Sequence, residues 1–117
     1  MRDARVAHAS RAIDRAGGAV QVRALPHALG ITRRQLERIY AEHVGLTPKM
    51  ACRVARVRSA MDRIRRDPRS AGSRLALDCG WYDQPHMIRD FRLIAETTPA
   101  AYAREVANFQ DAPAAAG

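Results

Sequence analysis

Hydrophobic residues along the chain recur at the three- and four-residue steps of an α-helix, and glycines and prolines separate the periodic segments. The clearest segment follows Thr47, a capping residue, and Pro48, which suits the first helical position. Its continuous apolar stripe consists of Met50, Val54, Val57, Met61 and Ile64. Since nearly every periodic segment has this spacing, the pattern predicts an all-α fold of about seven helices.

Six shorter segments carry the same period. They run from about Arg5 to Ala16, from Val22 to Leu29 and from Thr32 onward, and then follow Pro68, Asp83 and Thr98. Thr32 with Gln35 three residues later predicts a capping box at the third helix. The residues predicted to face the core are Val6, Ala9, Ile13, Ala16, Leu25, Leu29, Leu36, Ile39, Tyr40, Val44, Leu75, Ala76, Cys79, Met87, Phe91, Ile94, Tyr102 and Val106.

Two stretches of the chain repeat the same order of features. LPHALGITRRQLERIY is followed by GLTPKM, and LALDCGWYDQPHMIRDF is followed by ETTPAAY. Gly30 lies 18 positions before Pro48, whereas Gly80 lies 19 positions before Pro99, which a second turn longer by one residue explains. A glycine turn between apolar anchors joins the two helices of a helix-turn-helix, so the repeat predicts two such units.

The repeat also predicts how the chain is organised. We expect an N-terminal helix-turn-helix subdomain at 1–48, a linker helix at 49–66, a C-terminal helix-turn-helix subdomain at 67–110 and a disordered tail at 111–117. A linker of this length spans roughly 26 Å at about 1.5 Å per residue. Adjacent major-groove faces of B-DNA lie about 34 Å apart, so two recognition helices in successive major grooves are expected.

Charge points to the class of partner. The chain has 20 Lys+Arg against 12 Asp+Glu and a formal net charge of +8, which implies an anionic partner. All but one of these cations are arginine, whose planar guanidinium can grip a phosphate or a guanine edge with two hydrogen bonds. The predicted linker is especially basic, with eight cations from Lys49 to Arg69 against two aspartates.

Other chemistry has no signal in the sequence. Cys52 and Cys79 do not have the spacing of metal-ligand pairs, and no catalytic histidine motif, phosphate-binding glycine loop or nucleophile elbow occurs. We therefore expect no enzymatic activity, no cofactor and no metal. Because the sequence has no long apolar run and no signal peptide pattern, we expect a soluble cytoplasmic protein that does not enter a membrane.

The chain from about Ala12 to Val106 resembles the AraC/XylS-type transcription regulators, most strongly in the block ALDCGWYDQPHMIRDFR with TPAAY after it. The resemblance implies a bacterial, nucleoid-associated regulator whose bipartite helix-turn-helix domain binds double-stranded promoter DNA. It implies an activator that contacts RNA polymerase. Members of this family tend to carry an effector-binding or dimerisation domain N-terminal to this module. This chain is therefore expected to be either a C-terminal DNA-binding fragment, with a partner domain of that kind missing from it, or a short stand-alone member.

The resemblance also implies which residues face the DNA. In the first recognition helix they are Arg33, Arg34, Glu37 and Arg38, and in the second they are Gln84, Pro85, His86, Ile88 and Arg89. Arginine can read guanine, glutamine adenine and glutamate cytosine, and isoleucine can meet a thymine methyl. The candidates for phosphate contacts are Thr32, Lys49, Arg53, Arg56 and Asn108. For Arg56 a structural role is the alternative. For Arg34, Arg38 and Arg89 the alternative is a solvated surface arginine, or one that pairs with Glu37, Asp90 or another carboxylate.

The chain departs from the family pattern at three positions. Pro26 stands inside the first unit's leading helix, where we expect a shortened or tilted helix because an interior proline is costly. Pro85 stands near a helix start, where a proline can be accommodated. Glu96 replaces a common glycine after the second recognition helix, which puts the local turn geometry in doubt. Trp81 is expected to anchor the core.

A second interpretation of the same pattern stays open. A helical protein-interaction module, or a module that binds nucleic acid without sequence preference, would also carry amphipathic helices and surface arginines. Sequence preference separates these classes, because a generic cationic surface binds all duplexes alike.

Overall fold

The computed structural model describes residues 3–111, which form seven α-helices and two short 3₁₀ turns and contain no strand. The helices are α1 (Ala4–Arg15), α2 (Leu25–Leu29), α3 (Arg33–His43), α4 (Pro48–Arg66), α5 (Ser73–Asp78), α6 (Gln84–Ala95) and α7 (Pro99–Asp111). The predicted all-α fold is therefore confirmed. Asp111, the first residue of the predicted tail, is the last residue of α7, and the rest of that tail lies outside the described residues.

The chain divides into two compact units, one through Arg56 and one from Val57. The division falls within α4, so each unit contains part of that helix. Each unit has its own core of mainly aliphatic side chains, in a chain with only 5% aromatic residues. The core of the first unit contains Val6, Ala9, Ile13, Leu25, Leu36, Ile39, Tyr40, Cys52 and Ala55. The core of the second contains Val57, Ala60, Ile64, Leu75, Ala76, Cys79, Trp81, Met87, Phe91 and Ala103.

Side-chain caps start the helices where the sequence predicts them. The Thr32 hydroxyl accepts a hydrogen bond from the Gln35 amide over 3.1 Å, and the Gln35 side chain accepts one from the Thr32 amide over 2.8 Å. This is the predicted capping box of α3. Thr47 and Thr98 cap α4 and α7 in the same sense, by accepting from amides three residues on.

The proline in the first leading helix shortens it, as predicted. A 3₁₀ turn at Val22–Ala24 precedes α2, which then has only 5 residues, and Pro26 lies in its first turn. In that turn a proline removes no intrahelical hydrogen bond, because the first amides of a helix have no partner there. The predicted single helix from Val22 to Leu29 is therefore two shorter elements.

Two residues predicted to face the core are exposed instead. Ala16 follows the end of α1, where Gly17 and Gly18 turn the chain with positive φ angles of 58° and 81°. Val44 follows the end of α3 and is 42% exposed. Both residues continue the apolar period one step beyond the helix that carries it, so the period alone misplaces them.

The apolar stripe predicted for α4 is buried only in part. Met50, Val54 and Met61 are half-buried, whereas Val57 and Ile64 lie in the core. The other α4 residues in the two cores are short ones that the predicted stripe leaves out, namely Cys52, Ala55 and Ala60. Backbones approach most closely where side chains are short, and a search for bulky apolar residues misses such positions.

Gly18 marks one such close approach inside the first unit. A Cβ atom at this position would lie 2.2 Å from the Cys52 carbonyl oxygen and 2.8 Å from the Arg56 amide nitrogen. In turn, the Arg56 guanidinium Nε donates a hydrogen bond to the Gly18 carbonyl oxygen over 2.9 Å. The segment after α1 is thus held against the backbone of α4.

We predict that Gly18→Ala lowers the free energy of unfolding by about 3 kcal/mol, because the Cβ meets backbone and the left-handed φ strains an L-residue. Chemical denaturation of the full chain measures the loss. Gly30→Ala is the matched control, since Gly30 has φ 69° but no atom within 4 Å of its added Cβ. It should cost only about 1 kcal/mol, and equal losses for the two variants would contradict the close approach.

Glu96 adopts the backbone that a glycine would take at the end of α6. Its φ of 56° and ψ of 30° lie in the left-handed region, where residues other than glycine are strained. The turn that leads to the α7 cap at Thr98 is therefore made with glutamate in place of the glycine common in the resembled family, and the strain remains in the folded chain.

We predict that Glu96→Gly raises the free energy of unfolding by up to about 1 kcal/mol, because it removes this strain. The control is Glu105→Gly, the same substitution at an exposed position inside α7. That variant should lose about 1 kcal/mol through the low helix propensity of glycine. Thermal or chemical unfolding measures both, and a loss of stability for Glu96→Gly would rule out strain at this position.

Candidate nucleic-acid interface

Each unit contains a helix, a glycine turn and a second helix, in the order that defines a helix-turn-helix. In the first unit these are α2, Gly30 and α3, and in the second they are α5, Gly80 and α6. The two glycines have φ angles of 69° and 94°. Both predicted helix-turn-helix elements are therefore present in the fold, each inside one unit.

The two turns have the same hydrogen bonds. The Ile31 amide donates to the Pro26 carbonyl over 3.0 Å, and the Trp81 amide donates to the Ala76 carbonyl over 2.9 Å. The glycine amide before each donates to the carbonyl three residues back, over 3.1 Å in both turns. This pair of bonds is the Schellman arrangement, which satisfies the last carbonyls of the leading helix. The sequence repeat is thus a repeat of backbone geometry.

The second turn is longer by one residue, as predicted. In the first, Ile31 is followed at once by Thr32, which caps α3. In the second, Tyr82 stands between Trp81 and Asp83, which caps α6 by accepting from the His86 amide over 3.0 Å. Tyr82 is therefore the additional residue of the second turn.

The exposed side of α3 carries the four residues predicted for the first recognition helix. They occupy the first, second, fifth and sixth positions after the cap, namely Arg33, Arg34, Glu37 and Arg38. All four are exposed. The Arg33 Nε donates to Glu37 Oε1 over 3.0 Å, so this arginine pairs with a carboxylate on its own helix. In residues 3–111 no ion pair involves Arg34 or Arg38.

Helix α6 places four of its five predicted residues at the same positions relative to its cap. The first, second, fifth and sixth residues are Gln84, Pro85, Ile88 and Arg89. Pro85 and Arg89 are exposed, whereas Gln84 and Ile88 are half-buried. Pro85 lies in the first turn, where it is accommodated as predicted. The equivalent positions of α3 and α6 therefore carry different chemistry.

The start of α6 holds a cluster of Tyr82, Asp83 and His86. Besides its backbone bond, the Asp83 carboxylate bonds the Nδ1 atom of the His86 ring. These bonds from His86, with a smaller contribution from the charge of Arg89, lower the pKa of Asp83 below its ordinary value. The Tyr82 and His86 rings meet edge to face, with centroids 5.8 Å apart. His86, a predicted DNA contact, thus lies between the cap and an exposed tyrosine.

The predicted phosphate contacts lie on two helices and at one helix cap. Lys49 and Asn108 are exposed, on α4 and α7, and Arg53 is half-buried on α4. The Thr32 hydroxyl is exposed but serves as the α3 cap. Arg56 donates a hydrogen bond to the Gly18 carbonyl oxygen, which supports the structural role given above as its alternative.

One functional pairing was missed by the sequence analysis. Trp81 is buried as predicted, at 5% exposure, and its indole Nε1 donates to Asp90 Oδ2 over 2.8 Å. Asp90 is itself buried. The signal was available in principle, because a buried tryptophan needs an acceptor and Asp90 lies next to the inward-facing Phe91. The bond ties the glycine turn to α6, the helix that follows it.

A metal cluster and a membrane-spanning helix are not formed by the part of the chain that the structure describes. No three His, Cys, Asp or Glu side chains there converge to hold a metal ion. No helix there has the length and hydropathy needed to cross a membrane. Cys52 and Cys79 are free thiols, and burial raises the pKa of both. Burial of this kind disfavours the reactive thiolate.

Comparison with known proteins gives one family. The family model described as a helix-turn-helix domain matches residues 25–105, from the start of α2 into α7. The match therefore includes both glycine turns and both helices that follow them. No curated protein and no solved structure matches the chain.

Proposed function

This chain belongs to the AraC-type helix-turn-helix family of DNA-binding transcription regulators, and we propose that α3 and α6 are two recognition helices that read double-stranded DNA by sequence. The observation that supports this most directly is the equivalence of the two units. Each presents the first, second, fifth and sixth residues of its second helix after the same glycine turn. In helix-turn-helix proteins the N-terminal residues of that helix contact base edges.

The chemistry of these positions suggests different preferences for the two helices. On α3, Arg34 and Arg38 suit guanine. Glu37 suits cytosine once its hydrogen bond to Arg33 opens or its side chain turns toward the groove. On α6, Arg89 suits guanine and Gln84 suits adenine. The half-buried Ile88 offers an apolar contact for a thymine methyl. An asymmetric site, with unlike half-sites for the two helices, follows from this proposal.

Sequence-independent affinity is assigned to the cations and polar groups around these helices. Lys49 and Asn108 are exposed and suited to phosphate contacts, and Arg53 and Thr32 are placed in the same role. Arg56 is assigned mainly to holding Gly18 in place. We further propose that the two recognition helices occupy successive major grooves, with 1–48 and 67–110 as the reading subdomains and 49–66 as the linker.

The regulatory setting is proposed from the family. Under this proposal the chain acts in the bacterial cytoplasm, associated with the nucleoid, as an activator that contacts RNA polymerase. An effector-binding or dimerisation domain on the N-terminal side is the partner that the family pattern favours. The DNA-reading role of α3 and α6 does not depend on any of these assignments. Each assignment can therefore be wrong while that role holds.

Selection of bound duplexes from a random library tests the central proposal. We expect an enriched asymmetric sequence with two conserved blocks about one helical repeat, roughly ten base pairs, apart. Hydroxyl-radical footprinting of the enriched duplex should then protect two neighbouring grooves on one DNA face. Binding to the enriched duplex should stay tighter than to an unrelated one as salt is raised. Equal affinity for both duplexes at every salt concentration would favour the alternative of a nonspecific nucleic-acid-binding module.

We predict that Arg38→Ala and Arg89→Ala each cost about 1–3 kcal/mol in binding the enriched duplex and relax the preference at one base position. The two positions should lie in different blocks, since the residues lie on different helices. Arg11→Ala, an exposed arginine of α1, is the control and should leave every base preference unchanged. Repeating the library selection with each variant measures this, and a uniform loss on all sequences would exclude base reading by that arginine.

A further inference from the structure

The second helix-turn-helix carries an exposed aromatic residue that has no equivalent in the first. Tyr82 is 84% exposed, although its neighbour Trp81 is buried. It is the additional residue of the second turn, because the first turn passes directly from Ile31 to the capping Thr32. The insertion therefore adds one side chain on the outside of the unit, beside the start of α6.

The surroundings of Tyr82 are ordered by side-chain contacts. Its ring meets the His86 ring edge to face at 5.8 Å and 75°, and His86 is in turn bonded to the α6 cap, Asp83. The Trp81 indole donates a hydrogen bond to Asp90 of α6. Trp81 and Asp83, which flank Tyr82 in the sequence, are thus both bonded to residues of α6. These bonds place the phenol of Tyr82 next to the first turn of that helix.

The chemistry of a phenol suits one feature of duplex DNA at this point. Base edges are read by residues of the recognition helix itself, whereas a residue just before the cap comes close to the strand that borders the groove. Tyrosine hydroxyls are among the groups that donate to phosphate oxygens. In a chain of formal net charge +8, a neutral donor adds directional bonding where a further cation would add only attraction.

We propose that the Tyr82 hydroxyl donates a hydrogen bond to a backbone phosphate and so anchors α6, but not α3, at the edge of its groove. This inference rests on the proposed function, because it requires α6 to enter a major groove. It gives the second unit a contact that adds affinity without adding sequence preference.

Tyr82→Phe is the variant that removes only the hydroxyl. It should weaken binding roughly three- to tenfold, the range of one hydrogen bond. The factor should be the same on the enriched duplex and on an unrelated duplex, so the ratio of the two affinities stays that of the unaltered chain. Tyr82→Ala should weaken binding to both duplexes at least as much as Tyr82→Phe does. Because the side chain is exposed, thermal unfolding of both variants should match that of the unaltered chain.

Phe109→Ala supplies the control for loss of an exposed aromatic residue, since Phe109 on α7 is 83% exposed and lies outside both helix-turn-helix elements. It should bind both duplexes as the unaltered chain does. A scan with single methylphosphonates, which remove the phosphate charge, then locates the contact. At one position the methylphosphonate should weaken DNA binding by the unaltered chain. The same methylphosphonate should not further weaken binding by the Tyr82→Phe variant.

Three results would overturn the inference. The first is that Tyr82→Phe binds both duplexes as tightly as the unaltered chain does. The second is a loss confined to one sequence, which would indicate a base contact. The third is a methylphosphonate scan in which no position weakens the unaltered chain while leaving Tyr82→Phe unaffected, which would exclude a phosphate contact. When one of these three results is found and the unaltered chain still prefers its enriched duplex, only this inference fails. If it shows no preference for any duplex, the proposed function fails first.

Discussion

The left-handed glycine turn is the constraint on which both units depend, because it determines which side of the next helix stays exposed. At Gly30 and Gly80 the turn lets the following amide reach back to the leading helix. The fourth residue of the next helix is then apolar and buried, Leu36 in one unit and Met87 in the other. A Cβ at the turn would strain that backbone. The exposed residues of α3 and α6 are therefore a consequence of the turn geometry.

Arginine serves two purposes in this chain, and whole-chain charge does not separate them. Some guanidinium groups stabilise the fold, as Arg56 does at the Gly18 carbonyl and Arg65 does at the Tyr102 hydroxyl. Others, such as Arg34 and Arg38, project from a helix whose opposite side is buried. Burial on one side and charge on the other give a surface that suits a polyanion, which is the physical basis of the proposed DNA contact.

Local signals made most of the fold predictable. Hydrophobic period, glycine positions and capping residues act within a few residues of chain, so they specify a helix and its start without reference to distant segments. The same signals predicted that the second turn is longer by one residue. They also predicted the effect of Pro26 on its helix and the accommodation of Pro85 near a helix start. The candidate site is a different case, because its residues came from a family resemblance. The structure shows their exposure and spacing on α3 and α6, whereas their contacts with DNA remain a proposal.

The sequence by itself determined the helical class, the helix starts and the repeat of two glycine turns, because each is encoded in neighbouring residues. Only the tertiary structure decided which short side chains of α4 are buried, that Arg56 binds the chain at Gly18, and that Trp81 finds its acceptor in Asp90. These features depend on how closely segments far apart in sequence approach each other. That distance is determined by packing in three dimensions, and no spacing along the chain encodes it.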